Sequence, residues 1–232
     1  MKRLIAFLCV FGIVCNSASA APRKAAPKRR PCDPLTGDAV DEKAKALNKL
    51  KNRSNGPSIF DNDPTITIER ILAPGNDANR FSPTKAATIT GYVVSVKPGG
   101  IETCNCHATD PARRDTHIDV VADTRYAVPH YIRITTTKNG KRRTIRKDTN
   151  EKYHMIVEVT PRVRDRQRAR GIDWSTNTLK QQLTHHWVRF SGWLLFDTEH
   201  IPEAENTNPG NRGNWRATCT EIHPIFGIKV TR

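Results

Sequence analysis

The chain has 232 residues and carries 38 Lys and Arg against 23 Asp and Glu, a formal net charge of +15. That length suits one domain with extensions and leaves two good cores crowded. Beyond the first twenty residues no segment is long and apolar enough to cross a bilayer, which excludes a transmembrane anchor there.

Residues 1–20 read as a signal peptide: Lys2 and Arg3, the apolar run LIAFLCVFGIV, then Ala18-Ser19-Ala20 as a cleavage signal. This predicts a periplasmic or extracellular protein. Residues 21–36 form a basic disordered arm rich in Pro, Lys and Arg. Residues 37–86 comprise an N-terminal helix over DAVDEKAKALNKLKNR and an irregular linker. Asp41 and Glu42 near that helix's start and lysines near its end suit the helix dipole. Within the linker only TITIERI reads as strand-like.

A β domain is expected over residues 87–232. AATITGYVVSVKPGG is the first strand, with Gly91 marking a bend or bulge. After the loop IETCNCHATDPARRD, THIDVVAD is the second strand, with Ile118 and Val120 inward and His117 and Asp119 outward. YIRITTTKNGKRRTIRK reads as a projecting hairpin turning at Asn139-Gly140. The third strand, YHMIVEVTPRV, puts Met155, Val157 and Val159 on one face and Glu158 on the other. A basic linker follows, then a helix over 175–186 with Ser175 as its N-cap and Leu179 and Leu183 at i and i+4. WVRFSGWLLFD is the fourth strand, and after a long Asn/Pro/Gly loop, WRATCTEIHPIFGIKV is a last strand broken at Pro224.

Strand, strand, strand, helix, strand, strand is an order that resembles the OB-fold superfamily over about Ala87 to Val230. The resemblance implies a mainly β fold: a five-stranded Greek-key barrel, a helix between strands three and four, and here an added β-hairpin. Many OB domains bind oligonucleotides or oligosaccharides, and others serve as protein-interaction or nuclease scaffolds. No signature motif accompanies the element order, so no functional residue carries over.

Candidate residues fall into four sets. His117, Glu158 and His223 share outward strand faces, where imidazole and carboxylate can hold a divalent ion or move a proton. Lys138, Lys141, Arg142, Arg143, Arg146 and Lys147 on the hairpin, with Arg162 and Arg164 after the third strand, suit phosphate or sulfate contacts. Trp187 and Trp193 either stack on bases or sugars or fill a second core beneath a covering segment. Cys104, Cys106 and Cys219 are expected to supply a disulfide, Cys219 pairing with one of the other two; the role of Cys32 stays open. Zinc on the Cys/His-rich loop is the weaker alternative, since CxxC is absent, so no metal and no cofactor is assigned.

The sequence thus points first to an exported basic module binding a polyanion such as nucleic acid or acidic polysaccharide. A structural or protein-interaction domain of the cell envelope comes second. A metal-assisted phosphodiesterase or nuclease built on His117, Glu158 and His223 comes third. Oligomeric state is not readable.

Overall fold

The structure, a computed structural model, describes residues 32–138 and 140–232. The expected leader over 1–20, residues 21–31 of the expected basic arm, the turn residue Asn139 and the side chains of Thr136, Thr137 and Lys138 lie outside the described residues. Alternating apolar runs supply the frame: β1 (Ala86–Pro98), β2 (Thr116–Val121), β3 (Tyr131–Lys138), β4 (Lys141–Asp148), β5 (Met155–Val159), β6 (Trp187–Phe196) and β7 (Thr220–Val230). Five of them close into a barrel in the order β1-β2-β5-β7-β6, and β6 returns to β1 from Ala86–Trp193 to Tyr92–Trp187. Neighbours are antiparallel except β5 and β7, which run parallel through Val157 and Ile222. β3 and β4 form a separate two-stranded sheet.

Period-two alternation fills the barrel. Ile89, Val93, Ile118, Val120, Met155, Val157, Val159, Phe190, Leu194 and Ile222 all point into one buried cluster. Two short elements add to it: Ile68 and Ile71 from α2 (Ile68–Leu72), and Val163 from α3 (Pro161–Arg168). α4 (Thr176–Leu183) contributes Leu179 and Leu183, with Ser175 capping its first turn as expected. The N-terminal helix, α1 (Glu42–Lys51), buries Leu47, Asn48 and Lys51.

Several local expectations change. TITIERI is not a strand: Thr67 caps α2 by accepting from the Arg70 amide. The basic stretch after β5 is not a linker, because Thr160 caps a helix whose first residue is Pro161. β1 shifts register between Val93 and Ser95, not at Gly91. Gly91 instead marks a close approach, since a Cβ there would stand 2.8 Å from Cδ1 of Ile68. The last strand begins at Thr220, so Trp215–Cys219 lies outside it, and it continues through Pro224. Pro224 sits where the β6 register shifts, between Ile222 opposite Leu194 and Ile225 opposite Gly192, a place where a missing N–H donor is tolerated. Among the described residues, no helix is long and apolar enough to cross a membrane.

Candidate functional site

Strand parity places His117 and Asp119 (β2), Glu158 (β5), and Glu221 and His223 (β7) on the outer face of three adjacent strands. His117 is directly opposite Glu158, with Nδ1 3.1 Å from Oε1. His223 reaches the other oxygen of the same carboxylate, Nδ1 to Oε2 at 3.3 Å. The three expected residues therefore meet on Glu158.

The outward face is a covered one. Of these three side chains the most exposed, His117, is only 10% exposed. The 197–219 segment lies across them: the Trp215 ring is 5.8 Å from the His117 ring, and the Ala217 amide donates to the His154 carbonyl at 2.7 Å. From it Asp197 and Arg216 add further charge, joined by Glu102 and Asp115 from the β1–β2 loop and Lys51 from α1. Lys51 Nζ is 2.8 Å from both Asp197 and Glu102. Arg216 Nη2 donates to Glu221 Oε1 at 2.7 Å, and its Nε to the Thr218 carbonyl. Asp119 accepts from the Ser95 hydroxyl and lies 3.4 Å from both Lys97 Nζ and His117 Nε2.

Burial penalises every charge here, and the pairing decides each outcome. For His117 burial opposes the proton, yet the Asp119 and Glu158 carboxylates prevail and raise it to about 9. For His223 burial is likewise overcome by Glu158, Glu221 and Asp115, again to about 9. Asp119 is held well below the usual carboxylate range, its burial outweighed by His117 and Lys97. Glu221 is also held low, its burial outweighed by Arg216. Asp115 goes the other way: burial raises it to about 7, helped by Glu158 and Glu102 and only partly opposed by His223. Burial and the Asp115 and Glu102 carboxylates also push the Cys104 thiol well above its ordinary value.

The hairpin has a different character. Its register pairs Arg133 with Arg146 and Thr135 with Thr144 on one face. Lys141, Arg142 and Arg146 are exposed, and the Arg146 guanidinium lies 4.2 Å over the Tyr131 ring. The opposite face carries Ile132, Ile134 and Ile145, with Ile134 buried. Lys147 is not available to a ligand as expected, because its ammonium donates to the Arg212 and Asn214 carbonyls of the long loop.

Arg164 also departs from expectation. It is 4% exposed and its guanidinium donates to Thr116 Oγ1 and to the Ala112 and Arg114 carbonyls, so it clamps the β1–β2 loop. Arg162 is half-buried on the same helix. Trp187 and Trp193 are half-buried under the chain's own arginines: Arg232 lies 5.4 Å over the first ring and Arg53 4.8 Å over the second. Trp193 also donates to the Asn55 carbonyl at 2.8 Å. A separate apolar cavity of ≈ 780 Å³ lies beside the stacked Tyr126 and Tyr153 rings, away from these groups.

The cysteine expectation is overturned. Cys106 is bonded to Cys32, and Cys104 and Cys219 are buried free thiols. The reason is local. Cys104 and Cys106 lie in and just after a tight turn, Thr103–Asn105, that sends one side chain inward and the other out. The outward one meets the 32–38 segment, where the Asp38 amide donates to the Thr103 carbonyl at 3.1 Å. Gly37, at φ +61, lets that segment close in, since a Cβ there would stand 1.9 Å from the same carbonyl oxygen. Cys219 Sγ instead sits 3.3 Å from Thr207 Oγ1.

No sequence signal marks Lys51, Asp197 or Arg216 as part of this site. A buried lysine or arginine carries the same letter as a solvated one, and these occur in a lysine-rich helix and a polar loop. Glu221 was signalled by sharing parity with His223. Compared with known protein families, with characterised proteins and with solved structures, the chain matches none.

Proposed function

We propose that this chain is an exported, basic, OB-like module that binds a polyanion through its β3–β4 hairpin. The strand order, with its single parallel β5–β7 pair, supports an OB-like Greek-key reading of the barrel. The observation that carries the function is the like-charged cross-strand pair of Arg133 and Arg146 on an exposed two-stranded ribbon. Like charges directly opposite weaken a ladder, and among the described residues no carboxylate forms an ion pair with either. A row of phosphates or sulfates would relieve that repulsion. Tyr131 beneath Arg146 holds the guanidinium flat for such contacts.

Contacts of this kind release counterions, so affinity falls steeply with salt and depends little on sequence. The test is a salt-dependent titration of single-stranded DNA and of heparin with wild type and with Lys141→Ser/Arg142→Ser/Arg146→Ser. The variant is expected to bind both polyanions more weakly, with the salt slope reduced by at most about three. Equal affinities and slopes would remove the hairpin, and no binding by wild type at ~50 mM salt would leave the structural-domain reading.

A second reading, metal-assisted phosphodiester hydrolysis, draws on the meeting of His117 and His223 at Glu158. It requires the 197–219 segment to move aside, because a phosphodiester has no path to these atoms otherwise. Hydrolysis of single-stranded DNA by wild type but not by Glu158→Gln would support it; equal rates would dismiss it.

A further inference from the structure

Three groups of potential metal ligands converge on the outer face of the barrel, and their counter-charges separate them. Asp197, His200 and Glu221 lie within 4.8 Å of one another, but Lys51 and Arg216 already neutralise the two carboxylates. Glu102, Cys104 and Asp115 form a second group, in which Lys51 holds Glu102 at 2.8 Å. The third group, Asp115, Glu158 and His223, is different. Among the described residues, Asp115 and Glu158 form ion pairs only with histidines, never with a Lys or Arg.

Two atoms of this group are buried and unpartnered. His223 Nε2 has no hydrogen-bond partner although the residue is 0% exposed, and Asp115 Oδ1 has none although the residue is 2% exposed. Each of these orphaned buried atoms is costly unless something partners it. The separation of the two side chains fits a metal ion. His223 Nε2 is 3.8 Å from Asp115 Oδ2, too far for a hydrogen bond. Two ligands each about 2.1 Å from a tetrahedral zinc stand about 3.4 Å apart, so a few tenths of an ångström would close the site. The Nδ1 side of the same imidazole faces Glu221 at 3.2 Å and Glu158 Oε2 at 3.3 Å; Glu221 fixes the ring, and a metal at Nε2 draws the Glu158 carboxylate over from Nδ1, within the 4.8 Å that the three ligand atoms span.

We propose that Asp115, Glu158 and His223 hold one zinc ion beneath the 197–219 segment. Two carboxylates balance a divalent charge, and the imidazole favours zinc over magnesium or calcium, which prefer an all-oxygen shell. Cys104 strengthens that preference, its Sγ lying 3.8 Å from the same Asp115 Oδ2. The covered position makes this a site filled as the chain folds, tying the β1–β2 loop to β5 and β7. The inference stands apart from polyanion binding and holds whether or not the chain hydrolyses anything.

The experiment measures metal content and melting midpoint of the purified full chain, before and after dialysis against a chelator and after adding back zinc or magnesium. The expected result is about one zinc per chain, a lower midpoint after chelation, and recovery with zinc but not magnesium. His223→Gln should bind zinc more weakly by at least about 100-fold, whereas His107→Gln, at an exposed histidine, should keep it. A folded wild type that carries no zinc, and whose midpoint does not move when zinc is added, would overturn the proposal even if the variant fails to fold. Stoichiometric zinc in a folded His223→Gln protein would overturn it equally.

Discussion

At the scale of single residues, the outer face of the barrel is a network of charges that each depend on a neighbour. Arg216 is 0% exposed and its partner Glu221 is 1% exposed, so removing either leaves a buried charge without compensation. Arg216→Met is expected to cost about 3–5 kcal/mol, and Arg216→Met/Glu221→Gln less than the sum of the two single changes. Urea denaturation of the four proteins measures both quantities. Asp119 sets an acid limit. Its folded pKa lies below the unfolded value of about 3.9, because burial is outweighed by His117, Lys97 and the Ser95 hydroxyl. A depressed carboxylate stabilises above its unfolded pKa and loses that contribution as pH falls through its folded pKa. Wild type should therefore exceed Asp119→Asn in stability at neutral pH, and the gap should narrow steadily below about pH 4. A gap that stays constant down to acid pH would contradict this. The meeting of His117, Glu158 and His223 was legible, because strand parity and element order suffice to put three residues on one face. Their burial was not, since the cover is an Asn/Pro/Gly-rich loop whose letters read as solvent-exposed.

At the scale of elements, what was legible followed how much apolar pattern each segment carries. The barrel strands alternate strongly and were recognisable. α3 was not, because PRVRDRQR offers only Val163 to the core; the available signal was Thr160 before Pro161, a cap followed by a helix-starting proline. The hairpin was legible from Asn139-Gly140 between alternating arms. Its two-sided character was not: one face carries arginines, while the other docks Ile134 and Lys147 toward the long loop. The Cys32–Cys106 bridge is an element-scale tie as well, closing a span of 74 residues between the N-terminal segment and the β1–β2 loop. Cys32→Ser/Cys106→Ser should lose up to about 4 kcal/mol on the chain-entropy account. Hydrogen exchange should place the earliest loosening in residues 32–52 and 99–115, because that bridge and the Asp38–Thr103 contact join those two segments. Loosening that begins in the barrel strands would contradict that placement.

For the molecule as a whole, the charges divide into two populations with opposite consequences. Those on the covered face of β2, β5 and β7 face one another within the fold and are closed to solvent. On the hairpin Arg133, Lys141, Arg142 and Arg146 face outward, and Arg133 and Arg146 stand opposite one another, so they contribute to the external field that an excess of 38 basic over 23 acidic residues implies. Net charge alone could not separate these populations; only the closing of the barrel and the path of the 197–219 segment do. The most direct measurement is hydrogen–deuterium exchange of the full chain with and without saturating single-stranded DNA at ~50 mM salt. The account predicts slowed exchange in peptides spanning residues 131–148, with the strands bearing His117, Glu158 and His223 unchanged. Protection confined to those strands and the 197–219 segment, with the hairpin unaffected, would contradict it.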